Sequence, residues 1–219
     1  MEPIIYKPGA YKTPGVYNGD GSVYNGHGVY NDVAFAVIGG RKYPIVKIGN
    51  MLWTIENLDW KFDGCVIGAS GVSSYEPRGN YYGNNEVLYG WQGYKCGLLY
   101  NYKSVEALNN LLPDGWHIPS LTEWNALAAA TLNISMAAYL LSNGDIDWAP
   151  SWTGENLFNF NIKPSGQMFG SNGAFYGIGF NVEFWTNSRY DYYRNGNKFS
   201  SGYIATPSQY SIRLVKTIS

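Results

Sequence analysis

Apolar and polar positions alternate only in short stretches of this chain, and turn residues interrupt each stretch before it grows long. "VAFAVI" (residues 33–38) and "KYPIVKIG" (residues 42–49) each read as a strand, and Gly39-Gly40 between them is a hairpin signal. A helical period follows. Val105, Leu108, Leu111 and Leu112 place an apolar face on a short helix over residues 104–112. A second helix opens at "SLTEW", where Ser120 and Glu123 form a capping box ahead of Trp124, Leu127 and Ala128. "SMAAYLLS" (residues 135–142) predicts a third, stopped at Asn143-Gly144. Beyond residue 145 the pattern shortens again to strand-like runs: "NLFNFNIKP", "AFYGIGFN", "VEFWT" and "YSIRLVKTI". Helices early and short antiparallel strands late predict an α+β domain rather than a parallel sheet.

Two regions fall outside this ordinary pattern. Residues 4–31 repeat the units "IYK", "AYK", "VYNGDG", "VYNGHG" and "VYND", in which Tyr6, Tyr11, Tyr17, Tyr24 and Tyr30 each follow a small or branched apolar residue. Such units are too short to own a core, so they must pack on the main domain, on a partner or on copies of themselves. The expected organisation is a β/turn-rich segment over 1–33 for oligomerisation or virion attachment, followed by a ligand-binding domain over 34–219. The second region, "FWTNSRYDYYRNGNKFSSGY" (residues 184–203), is rich in tyrosine, arginine and asparagine and has no aliphatic side chain. It has nothing to bury as a core strand, which predicts a structured loop with Tyr190, Tyr192, Tyr193, Arg189 and Arg194 exposed and close together.

Composition narrows the function classes. With 219 residues, 17% of them aromatic, the chain is long and apolar enough to bury a core, and disorder is excluded. Charged residues are 14% of the chain, the net charge is −1 and no basic cluster is present, so nucleic acid is not an expected partner. No run of apolar residues reaches membrane-helix length, so membrane insertion is not expected either. The opening "MEPIIYKPGAY" lacks the apolar run of a secretory signal. If Met1 is the natural start, an extracellular role is reached by another route; a trimmed start is the alternative.

Candidate chemistry is sparse. Cys65 and Cys96 are too few and too far apart for a zinc site, and their pairing stays open. His117 sits in the framework "LPDGWHIPSLTEWNAL", where Pro113-Asp114-Gly115 makes a turn and Trp116 is expected to fill the core with Trp53, Trp124 and Leu127. A catalytic base needs a nucleophile or carboxylate partner. None is evident in motif with His117, which predicts a structural hydrogen bond instead. No Ser/His/Asp signature, phosphate-binding glycine loop or His/Glu metal spacing appears, so neither an enzyme nor a cofactor is expected.

Taken in order, "GNMLWTIENL", "GLLYNY", "LPDGWHIPSLTEWNAL", "FNIKPSGQM", "EFWTNS" and "SIRLVK" resemble the Fibrobacter succinogenes major paralogous domain over about residues 40–218. This Bacteroidota-rich family is related to the C-type-lectin-like fold and to formylglycine-generating-enzyme-like domains. The resemblance implies a C-type-lectin-like domain with two or three short helices and short antiparallel strands. Formylglycine-generating relatives use a cysteine pair, and Cys65 and Cys96 lie outside any matching motif. Calcium-dependent lectins use Glu-Pro-Asn or Gln-Pro-Asp with Trp-Asn-Asp. Here the nearest strings are "EPR" (residues 76–78) and "WTN" (residues 185–187), so no metal is expected.

On such a fold the stretch between "EFWT" and "SIRLVK" forms the loops and short strands of the exposed ligand face, framed by two buried strands, which implies binding by Asn187, Ser188, Arg189, Tyr190, Asp191, Tyr192, Tyr193, Arg194, Asn195, Asn197 and Tyr203. A binding face just before the C-terminus also resembles the variable proteins of diversity-generating retroelements, including phage tropism determinants. Adenine-directed mutagenesis of Asn codons ending in a pyrimidine cannot yield Lys, Gln, Glu, Met or Trp, and residues 186–197 and 199–208 contain none of these. The expectation is a virion receptor-binding protein of tail or head fibre, homo-oligomeric with a trimer favoured, that contacts a host cell-surface protein or glycan. The alternative is a bacterial surface adhesin or carbohydrate-binding module.

Overall fold

The computed structural model describes residues 34–68, 76–81, 96–130, 158–170, 173–188, 201–202 and 208–218, together with the backbone of strands at 16–17, 23–24, 29–30, 87–88, 91–92, 190–195 and 198–203. The predicted third helix at 135–142 lies outside the described residues.

Strands β1 (Val16–Tyr17), β2 (Val23–Tyr24) and β3 (Val29–Tyr30) form a separate antiparallel meander, in which each valine stands opposite a tyrosine of a neighbouring unit. The main body begins with β4 (Phe35–Ile38), β5 (Arg41–Ile48) and β6 (Met51–Thr54). The β4–β5 turn is the predicted Gly39-Gly40 pair, both at positive φ (59° and 79°), as a two-residue hairpin connection requires. Then come β7 (Val66–Ile67), β8 (Arg78–Asn80), β9 (Val87–Leu88), β10 (Trp91–Gln92) and β11 (Leu99–Tyr100). Helices α1 (Tyr102–Leu108) and α2 (Leu121–Ala130) precede β12 (Ser165–Met168), β13 (Phe175–Ile178), β14 (Glu183–Trp185), β15 (Tyr190–Asn195), β16 (Lys198–Tyr203) and β17 (Val215–Thr217). The described residues are thus mostly antiparallel β with two helices.

The central sheet has the order β17-β6-β5-β4 and is covered on both faces. Successive side chains of a strand point to opposite faces. Ala36, Ile38, Tyr43, Ile45, Leu52 and Leu214 therefore join one core with Leu98, Tyr100, Val105 and Leu108. Ile48, Met51, Trp53 and Val215 join the other with Trp124, Leu127, Phe160 and Phe184. Burial on both sides explains why "MLWT" is buried throughout and shows no polar alternation.

Helix α1 starts two residues before the predicted position. The Asn101 side chain accepts from the Ser104 backbone N–H (3.0 Å) and so caps the helix, while Ser104, Val105 and Leu108 make the buried stripe. Two other expectations need correcting. "NLFNFNIKP" forms no strand among its described residues, because Asn159 and Asn161 both take φ 54°; the strand β12 lies just beyond it, in "SGQM". Trp116 is only half-buried against the first core, whereas Trp53, Trp124 and Leu127 are fully enclosed.

The C-terminal segment threads the body together: Gln209 bridges Met168, Tyr210 bridges Tyr100, Ser211 bridges Phe184, and Val215 bridges His117. Between them lies Arg213, which is fully buried. Its Nε donates to Asn57 Oδ1 (2.6 Å), Nη1 to Thr54 O (2.7 Å) and Phe160 O (3.1 Å), and Nη2 to Asn161 O (3.0 Å). Phe160 lies 5.0 Å from the guanidinium carbon as a cation–π partner. Burial lowers the Arg213 pKa to about 9, so the group stays charged at neutral pH and is held by neutral oxygens.

Candidate ligand-binding face

Strand β14 seats the candidate face. Phe184 is buried and stacks on Trp124 of α2, with ring centroids 5.1 Å apart. Trp185 is also fully buried, its Nε1 donating to Tyr100 O (2.6 Å) and its ring packing on Tyr102 (5.6 Å) and Tyr210 (4.7 Å). One backbone edge of β14 is joined to the C-terminal segment: Trp185 N donates to Ser211 O and Ser211 N to Glu183 O, both at 3.0 Å. The other edge pairs with β15. A strand bonded along both edges, with two aromatic anchors, gives β15 a stiff partner.

The chain leaves β14 through a turn fixed from inside. Thr186 is buried, and its hydroxyl donates to Ser188 O (2.8 Å). Asn187 N donates to Pro119 O (2.9 Å), tying the turn to the segment that leads into α2, while the Asn187 and Ser188 side chains are exposed. From Tyr190 the chain pairs with β14 in the register Glu183↔Tyr193, Phe184↔Tyr192 and Trp185↔Asp191. It then pairs with β16 from Tyr190↔Tyr203 through Asn195↔Lys198. This register leaves a two-residue connection, Gly196-Asn197, a sequence suited to a tight hairpin.

The stretch is therefore a β-ladder and not the loop that its lack of aliphatic side chains predicts, in keeping with the short strands that the resemblance implies. Backbone pairing needs no aliphatic side chain: a free edge at β14 and the strand preference of tyrosine and phenylalanine suffice. Of the residues expected to bind, Asn187 and Ser188 lie in the exposed turn, while Tyr190, Asp191, Tyr192, Tyr193, Arg194 and Asn195 form β15. Tyr203 ends β16 opposite Tyr190. Arg189 and Asn197, and the side chains of β15 and of Tyr203, lie outside the described residues.

Below the turn, at the start of α2, the capping box is complete. Glu123 Oε2 accepts from Ser120 N and Ser120 Oγ (both 2.8 Å), and Glu123 N donates to Ser120 Oγ (3.2 Å). The other carboxylate oxygen lies 2.6 Å from His117 Nε2. His117 does make a hydrogen bond, and its partner is a carboxylate, Glu123, which the turn at Pro119-Ser120 brings back to it. The His117 backbone exchanges two 2.9 Å bonds with Val215. Gly115, at φ 80°, lets Lys216 lie across it: a Cβ there would come within 2.9 Å of the Lys216 Cε. Motif and terminal strand are thus locked together.

Burial alone would raise the Glu123 pKa, but the bonds from Ser120 N–H, His117 and Ser120 Oγ outweigh it and bring it below 4.5. A carboxylate with a depressed pKa stabilises the fold above its unfolded value, and that stability is lost as pH falls through the folded one. Glu123→Gln is expected to cost about 1–2 kcal/mol at pH 7. Urea denaturation should show the gap to wild type in full above pH 4.5 and closing as the pH drops below it.

The strings nearest to calcium motifs have other duties. Glu76 pairs with Arg78, whose backbone N–H donates to Asn101 Oδ1 (3.0 Å), so "EPR" braces the α1 cap. "WTN" is the end of β14 and its turn. Among the described residues no group of three His, Cys, Asp or Glu side chains is arranged to hold a metal, and no helix is long and apolar enough to cross a membrane. Cys65 and Cys96 are not joined in a disulfide, and burial raises the Cys65 thiol pKa.

Thr186 and Arg213 escaped the sequence reading. A charge inside the apolar run "SIRLV" was the available signal for a buried, caged cation; nothing local marked Thr186. No curated protein and no solved structure matches the chain. The model of the Fibrobacter succinogenes major domain matches residues 46–216, which hold Trp53, the Arg213 cage, the His117–Glu123 framework and the β14–β16 ladder, and the chain belongs to that family.

Proposed function

We propose that this chain is a non-enzymatic recognition protein that presents the β15–β16 hairpin as its ligand face on a C-type-lectin-like domain. One observation carries this: residues 186–203, without a single aliphatic side chain, include a hydrogen-bonded ladder mounted on a strand whose Phe184 and Trp185 are fully buried. The frame spends its apolar side chains on the core and leaves tyrosine, arginine, asparagine and serine for the ladder. This is the mixture that binding surfaces use, because tyrosine gives contact area at low entropic cost and small polar residues adapt.

The partner is a host cell-surface protein or glycan, and the protein is displayed on a virion. Apart from Lys198, residues 186–208 contain no Lys, Gln, Glu, Met or Trp, which supports a diversified face on either side of that position. A reverse-transcriptase gene beside a near-copy of this coding stretch, or neighbouring tail genes, would support that placement. An encoded secretory signal would place it on a bacterial surface instead. Tyr192→Ala and Arg194→Ala are each expected to weaken binding to the recognised surface by about 1–3 kcal/mol, roughly 5–150-fold, with an unchanged melting temperature. Variants that bind as wild type does, or that unfold, would make the ladder a structural element.

A further inference from the structure

Strand β4 ends the central sheet, and among the described residues no strand covers its outer edge. The Gly39-Gly40 hairpin closes with Ile38 opposite Arg41, and Ile45 N donates to Ala34 O (2.9 Å) at the other end. In an antiparallel ladder the bonded pairs alternate, so Ala34, Ala36 and Ile38 turn their backbone groups toward β5. Phe35 and Val37 turn theirs outward. The Pro44 carbonyl confirms this phase, since it accepts from Ile55 N on the far side of β5 and not from Phe35. Among the described residues nothing pairs with the Phe35 and Val37 amides. Their side chains are bare as well, 44% and 55% exposed, while Ala36 and Ile38 are in the core. Lys42 leans over the Phe35 ring, at 4.5 Å. A bare edge with two large apolar side chains is a template for another strand.

The chain itself supplies a fitting occupant. Residues 1–33 end where β4 begins, and they carry three Val-Tyr strands that are too short to own a core. The meander they form has its own unpaired edges, β1 and β3, and within one chain β3 pairs with β2 and β4 with β5, never with each other. We propose that the outer edge of β4 docks the N-terminal Val-Tyr meander of a second copy of this chain. Donor and acceptor are different surfaces, so each copy gives one contact and receives one. Such an interface closes as a two-fold exchange or as a ring.

This assignment rests on residues 1–33 being an assembly segment and not on the ligand reading, since the test contains no ligand and its failure leaves the β15–β16 face untouched. Light scattering on the full chain should give a mass two or more times 24.4 kDa. That mass should fall to 24.4 kDa in Val37→Lys, which puts a charge on the edge, and in a Val16→Pro, Val29→Pro double variant, which removes a strand amide from each edge of the meander. Proton exchange on the wild type needs no variant: the Phe35 and Val37 amides should exchange at least tenfold more slowly in the assembled protein than on dilution. A wild type that is monomeric throughout, or an assembly that survives Val37→Lys, overturns the proposal. An assembly that survives the double proline variant but not Val37→Lys is a contact between two β4 edges and overturns the occupant. If Val37→Lys does not fold, fast exchange of Phe35 and Val37 at every wild-type concentration overturns it equally.

Discussion

Trp124→Ala is expected to destabilise the fold by about 3–5 kcal/mol, the usual cost of emptying a large aromatic from a closed core. Trp124 is fully buried and lies 5.0 Å from Trp53, 5.1 Å from Phe184 and 6.3 Å from Phe160. Its loss opens a cavity where the central sheet, α2 and β14 meet, and none of these can move in without breaking its own backbone pairing. Trp116→Ala, by contrast, removes a half-buried ring and should cost roughly 1–2 kcal/mol in proportion to the smaller area it covers. Urea denaturation of both variants measures the ordering, and a Trp116 variant less stable than the Trp124 variant would mean that the second core is misassigned.

Arg213→Met should cost at least as much, about 4–5 kcal/mol, although methionine fills much of the same space. The loss is polar in origin. Asn57 Oδ1 and the carbonyls of Thr54, Phe160 and Asn161 each lose a donor in a place without access to water. Arg213→Lys keeps the charge but not the planar fork that reaches all four oxygens, so it should recover only part of the stability. A methionine variant as stable as wild type would show that the cage contributes nothing net. Because these oxygens come from residues 54, 57, 160 and 161, the variant should also loosen the segments that back β14, and amide exchange there should accelerate.

The hairpin at Gly39-Gly40 and the capping box at Ser120 were legible because each is encoded within a few neighbouring residues: a glycine pair needed for positive φ, a hydroxyl and a carboxylate three positions apart. The family strings were legible as a series, and Arg213 gives one physical reason for their order. "GNMLWTIENL" supplies Thr54 and Asn57, "FNIKPSGQM" supplies Phe160 and Asn161, and "SIRLVK" supplies the cation they surround. Widely spaced strings thus converge on one buried charge, a contact that no local period can reveal.

What stayed hidden was also long-range. Trp116 looked like a core residue because it stands beside a turn and a cap, but its ring is only partly buried against the first core. The pairing of Glu123 with His117 depends on the turn at Pro119-Ser120. The tyrosine-rich stretch looked like a loop because it offers no apolar face. Its strand character comes from the edge of β14, which is itself set by Phe184 on Trp124 and Trp185 on Tyr100. Sequence therefore marked the candidate stretch along the chain, while its backbone form depended on a partner strand fixed by distant residues.

The claim that the β15–β16 hairpin recognises a cell surface is tested most directly by one comparison. Labelled wild-type protein and a Tyr190→Ser, Tyr192→Ser, Tyr193→Ser triple variant are applied side by side to a panel of intact bacterial cells and a glycan array, with melting temperatures measured on the same samples. The account predicts that wild type is retained on at least one of these surfaces and that the variant, still cooperatively folded though somewhat less stable, loses retention there by tenfold or more. Equal retention of the two proteins, retention of neither, or a variant that no longer folds would contradict it.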